Sequence, residues 1–171
     1  MNKHILFIGC GKGGEILNYP NTDSYITALE PDDNCRLEAS RRLTARNNVT
    51  LLPNSIFKFN SDTFDEIFLI FPAPPMLFFH SDELYEKISC LLKKNGIFTL
   101  FSEIWPDNKN MMTCLGCEKL SLLMKENGFC VSEDILQITE LPKYVRNADF
   151  LSKATDDIDL HFRKITISRI S

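Results

Sequence analysis

Residues 5 to 15 read ILFIGCGKGGE, an apolar run that breaks into four glycines within six positions. The run predicts a short strand, and the glycines let the chain turn tightly at its end and let a ligand touch main-chain atoms. A strand that enters a glycine turn and then a helix opens a βαβ unit, whose sheet is parallel and covered by helices on both faces. This junction restricts the fold more than any other stretch.

The rest of the chain fits that start. SYITALE, VTLLP and FDEIFLIF are further short runs rich in β-branched and aromatic residues, and predict three more parallel strands. Between the second and third, DDNCRLEASRRLTARNN predicts a crossover helix, with Leu37, Ser40 or Arg41 and Leu43 or Thr44 at helical spacing and Asn47 and Asn48 at its end. SDELYEKISCLLKKNG predicts a helix with Ser81 as N-cap, with Leu84, Ile88, Leu91 and Leu92 turned inward, stopping at Asn95-Gly96. IFTLFSE makes a fifth strand, and a second amphipathic helix runs from Cys117 to Gly128. VSEDILQITEL and DIDLHFRKITISRI predict two final strands separated by a polar loop, Pro142 to Thr155. Joined without a helix, they form a hairpin, so one strand runs antiparallel to the others. The expected class is α/β: a Rossmann-like, doubly wound sheet of seven strands, mostly parallel with a C-terminal antiparallel strand. With 171 residues, against ~100–200 per domain, residues 1–171 form one domain.

Composition removes several classes of function. Hydrophobic residues make up 44% and charged residues 25% of the chain, as in ordinary globular proteins. No apolar run reaches the ~18 residues of a membrane span. MNKHILFIGCG leads straight into a strand without a signal peptide, so no membrane partner is expected and the expected compartment is the cytoplasm. The six cysteines are expected as reduced thiols. Cys114 and Cys117 form a C-x-x-C, but no second pair stands at zinc spacing, so no metal is expected. A net charge of −4 argues against broad affinity for nucleic acid, and DNA is not an expected partner. Two basic groups remain: Arg36, Arg41, Arg42 and Arg46 on the crossover helix, and Lys143, Arg146, Lys153, Arg163 and Lys164 in the tail, the better candidate for phosphate contact.

The glycine spacing reads in two ways. Gly9, Gly11 and Gly14 fit a dinucleotide fingerprint, whereas Gly9, Gly11 and Gly13 fit the G-x-G-x-G that receives S-adenosylmethionine. Glu30, ending the second strand in ALEPDD, can accept both ribose hydroxyls of either cofactor. A nicotinamide dehydrogenase adds a substrate domain or a long insertion, for which this chain leaves no room. Seven strands with a terminal hairpin fit S-adenosyl-L-methionine better.

The order ILFIGCGKGGE, YITALEPDDN, NVTLLPNS, FDEIFLIFPAPP and LLKKNGIFTLFSE resembles the class I S-adenosylmethionine-dependent methyltransferases over nearly the whole chain. Within them it is most similar to the tRNA guanine-7-methyltransferase family, with PKYVRNADF and DIDLHFRK standing where that family has its terminal motifs. The resemblance implies that Gly9, Gly11 and Gly13 receive the cofactor, with Cys10 and Pro31 beside the site, and that Glu30 holds its ribose. It further implies that Asn54 and Ser55 meet the adenine and that Phe71, Pro72, Ala73 and Pro74 line the point of methyl transfer. Glu103 is placed like the family's acid after the fifth strand, with Trp105 beside it to stack on a flat substrate. His80, after Phe78 and Phe79, is a further candidate for proton transfer.

Most departures from the family fall on the acceptor side, and one falls in the adenine region, where Asn54-Ser55 stands for a pair ending in an acid. Ala73 stands for its aspartate, Pro75 for its tryptophan, Pro142 for a threonine and Val145 for a glutamate. A tRNA guanine and another planar or small-molecule acceptor therefore both stay open. A non-catalytic cofactor-binding or partner subunit and a nicotinamide-binding protein are the readings from other classes.

Overall fold

A computed structural model describes residues 2–61, 63–105, 111–148, 151 and 160–169. Seven strands form one sheet: β1 (His4–Ile8), β2 (Tyr25–Leu29), β3 (Val49–Leu52), β4 (Phe64–Ile70), β5 (Leu92–Ile104), β6 (Phe129–Gln137) and β7 (His161–Arg169). Their order is β3-β2-β1-β4-β5-β7-β6. β7 lies between β5 and β6 and is antiparallel to both, while β1 to β5 pair in parallel. The doubly wound sheet and its single reversed strand agree with the sequence reading.

Both faces are covered, which is why the inner strands read as continuous apolar runs rather than as alternations. Leu6 and Ile8 of β1, Ile67 and Leu69 of β4, Phe98 and Leu100 of β5 and Ile165 and Ile167 of β7 point to one core. Over it lie α3 (Pro74–Phe79), α4 (Ser81–Leu91) and α5 (Met111–Glu126), through Leu77, Leu84, Ile88, Cys117 and Met124. The intervening residues Ile5, Phe7, Phe68, Ile70, Phe101 and Phe162 face a second core. This one is closed by α1 (Gly14–Leu17), α2 (Asp33–Arg42) and α6 (Lys143–Arg146) through Ile16, Ala39 and Val145. Each fully buried Leu, Ile or Phe contributes ~1.5–3 kcal/mol of apolar transfer.

Several sequence boundaries change. Helix α4 ends at Leu91, not at Asn95-Gly96, because Leu92 already pairs with Phe64 and tertiary pairing outweighs the Asn-Gly stop signal. Ser81 is the first helical residue rather than the N-cap, and its hydroxyl donates back to the Leu77 carbonyl. Leu37 is 55% exposed, and α2 turns Ala39 and Leu43 inward instead. Helix α5 begins at Met111, six residues before Cys117. The stretch after Pro142 is not simply a polar loop: α6 forms there, and Leu141, Val145, Ala148 and Leu151 are buried.

Candidate functional site

In an open parallel sheet, ligands sit outside the carboxyl ends of the strands where the order reverses. Here that point lies between β1 and β4, which are neighbours although β2 and β3 intervene in the chain. Gly9 leaves β1 there, Glu30 leaves β2, and Phe71 leaves β4.

The turn after β1 has a left-handed backbone at Gly9 (φ 66), Gly11 (φ 51) and Gly13 (φ 78). Gly13 has a second reason to be glycine. A Cβ on it would stand 3.0 Å from Leu43 Cδ1, so its lack of a side chain lets the turn pack against the end of α2. The Gly13 amide donates to the Cys10 carbonyl at 2.8 Å, closing the turn into α1.

Glu30 is 7% exposed and holds this turn from the side. Its Oε2 accepts from the Gly11 amide at 2.7 Å, and its Oε1 accepts from the Asp32 amide at 2.9 Å. An ionised carboxylate has about four lone-pair sites, so two remain for further donors. Pro31 is exposed, and its carbonyl accepts from Arg36 Nη1 at 3.4 Å. Asn54 and Ser55 are half-buried after β3, where the Ser55 hydroxyl accepts from the Phe57 amide at 3.4 Å and caps a short 3-10 turn.

Phe71 is a non-glycine residue in the left-handed region, with φ 49. Such a conformation costs ~1–2 kcal/mol and persists where the surroundings fix it. Its amide donates to the Phe101 carbonyl at 2.9 Å, and its ring meets Phe162 edge-on at 5.8 Å. Pro72 is buried, Ala73 is exposed and caps α3, and Pro74 is the first residue of that helix.

A cavity of about 140 Å³ opens between these parts, lined by the Gly9 to Gly11 turn, Glu15, Ile70, Phe71 and Ala148. Burial, with the nearby Glu15 and Glu30 charges, pushes the Cys10 thiol well above its ordinary range and keeps it neutral. Glu15 and Ala148 went unnoticed in the sequence. Glu15 sits directly beside the glycines, an acid between Gly14 and a buried Ile16, and that position was its only signal. Ala148 is far away in the chain and reaches the cavity only because α6 docks on α1.

Glu103 lies on the face of β5 that carries Phe101, directly opposite Phe162 of β7. It is 7% exposed, and burial raises its carboxyl above the ordinary value. Phe162 in turn touches Phe71, so Glu103 belongs to the same corner without lining the cavity. Trp105 is half-buried and packs on the second core. His80 lies apart from the cavity at the start of α4, its ring 5.3 Å from that of Phe57 and its Nδ1 3.5 Å from Glu83.

The basic groups divide. Arg36 donates to the Glu30 carbonyl, Arg46 donates to the carbonyls of Ile16 and Tyr19, and Arg41 and Arg42 pair with Glu38. Arg36 and Arg46 thus brace the fold, while Arg41 and Arg42 are exposed beside Glu38. In the tail, Arg163 pairs with Glu133 and Lys164 with Asp134, while Lys143 and Arg146 are exposed on α6. Lys153 lies outside the described residues. Cys117 donates weakly to the Ser102 hydroxyl at 3.5 Å, and the described cysteines are free thiols. Among the described residues, no group of three His, Cys, Asp or Glu could hold a metal ion, and no helix is long and apolar enough to cross a membrane.

A larger cavity, about 470 Å³, lies between α4 and the segment before β4, lined in part by Phe57, Phe59, Lys87 and Leu91. Phe59 precedes β4 and Leu91 precedes β5, which puts it toward the amino edge of the sheet, away from the glycine turn.

Strand order and the glycine turn define the fold as that of the Rossmann-like methyltransferases. Solved structures of this kind match over almost the whole chain. The precorrin-6y C5,15-methyltransferase of Geobacter metallireducens is 16% identical with a TM-score of 0.66, covering 99% of this chain and 80% of that one. An rRNA-methylase of Clostridium thermocellum, described as putative in its structure, is 13% identical with a TM-score of 0.66, covering 99% and 87%. The geranyl diphosphate C-methyltransferase of Streptomyces coelicolor, solved with S-adenosyl-L-homocysteine, is 13% identical with a TM-score of 0.67, covering 99% and 73%. No protein-family model and no curated protein sequence matches the chain.

Proposed function

We propose that the protein is an S-adenosyl-L-methionine-dependent methyltransferase whose acceptor is a planar or weakly polar group. One observation carries this reading: a turn of three left-handed glycines, held by the Glu30 carboxylate, opens at the reversal of strand order onto a cavity walled by Phe71. The residues suit the cofactor. Gly9 and Gly11 bare main-chain atoms, Glu30 keeps acceptor sites for a ribose, and Asn54 is half-buried beyond β3 for an adenine edge.

When bound, the cofactor supplies an already activated methyl group, so the protein's task is to align the acceptor and exclude water. Ile70, Phe71 and Ala148 supply apolar walls for that purpose. An acceptor aligned there would take the methyl group onto its electron pair, with the donor left as a thioether, and would give up a proton. Glu103, a buried acid that meets the same corner through Phe162, is the sequence-predicted group assigned to receive it. Ala73 offers no hydrogen bond to an acceptor edge, which favours recognition by packing and stacking. A tRNA guanine remains within that class, with exposed Lys143 and Arg146 available to phosphates. The cytoplasm is the compartment that goes with this reading.

Calorimetric titration with S-adenosyl-L-methionine, S-adenosyl-L-homocysteine and NAD tests the proposal. Binding of the first two, followed by transfer of labelled methyl to tRNA or to a small planar acceptor, is the expected result. Binding of NAD alone would overturn it. Binding without transfer to any acceptor pool would favour the non-catalytic subunit, which the exposed Ala73 in place of an acid supports.

A further inference from the structure

The cavity of about 470 Å³ between α4 and the segment before β4 falls within the ~300–1,000 Å³ that suits a whole small ligand. The cofactor reading does not use it. Its floor is apolar: Phe59 and Leu91 are buried, and Phe57 is half-buried with its ring 5.3 Å from that of His80. Three charged side chains of α4 stand around that floor, Glu83, Glu86 and Lys87. Lys87 is already engaged. Its ammonium donates to the Phe59 carbonyl at 3.1 Å and to Asn60 Oδ1 at 3.0 Å, which ties α4 to the opposite wall. Glu83 stands 3.5 Å from His80 Nδ1, and among the described residues no cation pairs with Glu86. With His80 neutral, two carboxylates against one ammonium leave the rim net negative over an aromatic floor.

We propose that this cavity is a second binding site, taking a small molecule that joins a flat apolar body to an ammonium group. The flat body packs on Phe57, Phe59 and Leu91, and the ammonium, with three donors and no acceptor, meets Glu83 and Glu86 at the rim. The face of the Phe57 ring attracts the same charge. An anion of equal shape would meet both carboxylates instead, with Lys87 held by the wall. The site lies toward the amino edge of the sheet, so the assignment does not rest on what the glycine turn holds.

Cys90 is a local reporter: it is exposed and lines the cavity, whereas the equally accessible Cys130 lies on β6 at the edge of the sheet. The probes are tryptamine, tryptophol and indole-3-acetate, which share an indole ring and carry a positive, a neutral and a negative group. Ligand-observed NMR follows their binding to the full chain, and mass spectrometry follows iodoacetamide labelling of each cysteine. Tryptamine is expected to bind about 3- to 10-fold more tightly than tryptophol, a modest preference because the acids are exposed, with indole-3-acetate weakest. It should slow the labelling of Cys90 and leave that of Cys130 unchanged. Glu83→Gln combined with Glu86→Gln should bring the preference to about twofold or less while tryptophol binds as before. Phe57→Ala should weaken both. Equal binding of the three probes, no binding of any, a preference that survives the double variant, or tryptamine binding without protection of Cys90 would overturn the assignment. If the double variant fails to fold, the wild type still decides, through the order of the three probes and the protection of Cys90.

Discussion

Glu30 illustrates how one carboxylate can serve the fold before it serves a ligand. Its two charge-assisted bonds to the Gly11 and Asp32 amides fix the turn in a shape that glycine alone would not hold. Glu30→Ala leaves both donors short of a partner and is expected to destabilise the protein by ~1.5–3 kcal/mol. Its affinity for S-adenosyl-L-homocysteine should fall as well. Denaturant unfolding and calorimetry on the same variant separate the two effects, and unchanged values in both would remove Glu30 from the turn and the site alike. Phe71 permits a sharper comparison. Phe71→Ala and Phe71→Gly both delete the ring that meets Phe162, but only glycine reaches φ 49 without a Cβ clash. The glycine variant should therefore be the more stable of the two by ~1 kcal/mol, against the usual cost of glycine. Glu103 links stability to pH. Burial raises its folded-state value above 4.5, so its cost to the fold is absent below pH 4.5 and grows as pH rises through the raised value. Glu103→Gln should raise Tm at pH 7 and leave it unchanged at pH 4, and an equal change at both would contradict a carboxyl raised by burial.

At the scale of elements, what could be read in the sequence depended on how local the deciding contact was. Strands β1 to β4 were legible because burial on both faces demands unbroken apolar runs, as in ILFI and FDEIFLI. The end of α4 was not, since Leu92 leaves the helix to pair with Phe64, a residue distant in the chain. The start of α5 was not legible either: it lies at Met111, six residues before Cys117, because the first turns carry exposed Met111, Met112 and Leu115, which blur the apolar stripe. Within it, Gly116 lies against α3: a Cβ there would stand 2.7 Å from the Leu77 backbone. Gly116→Ala must push the helices apart, and a loss of ~1–3 kcal/mol is expected despite alanine's better helix propensity. A more stable variant would show that the two helices do not meet so closely. The α6 segment closes the cavity through Ala148. Ala148→Leu is expected to fill that space and weaken cofactor binding with the secondary structure intact, which calorimetry and circular dichroism check together.

For the molecule as a whole, the sequence determined the class of fold. Apolar runs of strand length, the glycine turn after the first and the acid after the second follow from short-range rules of periodicity and backbone freedom, and they predicted a doubly wound sheet with a site at Gly9 to Gly13 and Glu30. The resemblance to the tRNA guanine-7-methyltransferases also implied a shortage of acids on the acceptor side, at Ala73 and Val145. Tertiary structure alone decided the rest. It put β7 between β5 and β6, so that Phe162 comes under Phe71 and opposite Glu103, and it folded α6 onto α1, so that Ala148 walls a cavity opened by Gly9. It also turned Arg36 and Arg46 from candidate phosphate contacts into braces of the fold, and it distinguished Glu15, lining the cavity, from Glu30, bracing the turn. The physical reason is the range of the interactions. Strand and turn preferences act between neighbours in the chain, whereas the surroundings of a carboxylate or a phenylalanine at the site are set by segments a hundred residues or more apart, which meet only when both cores are packed.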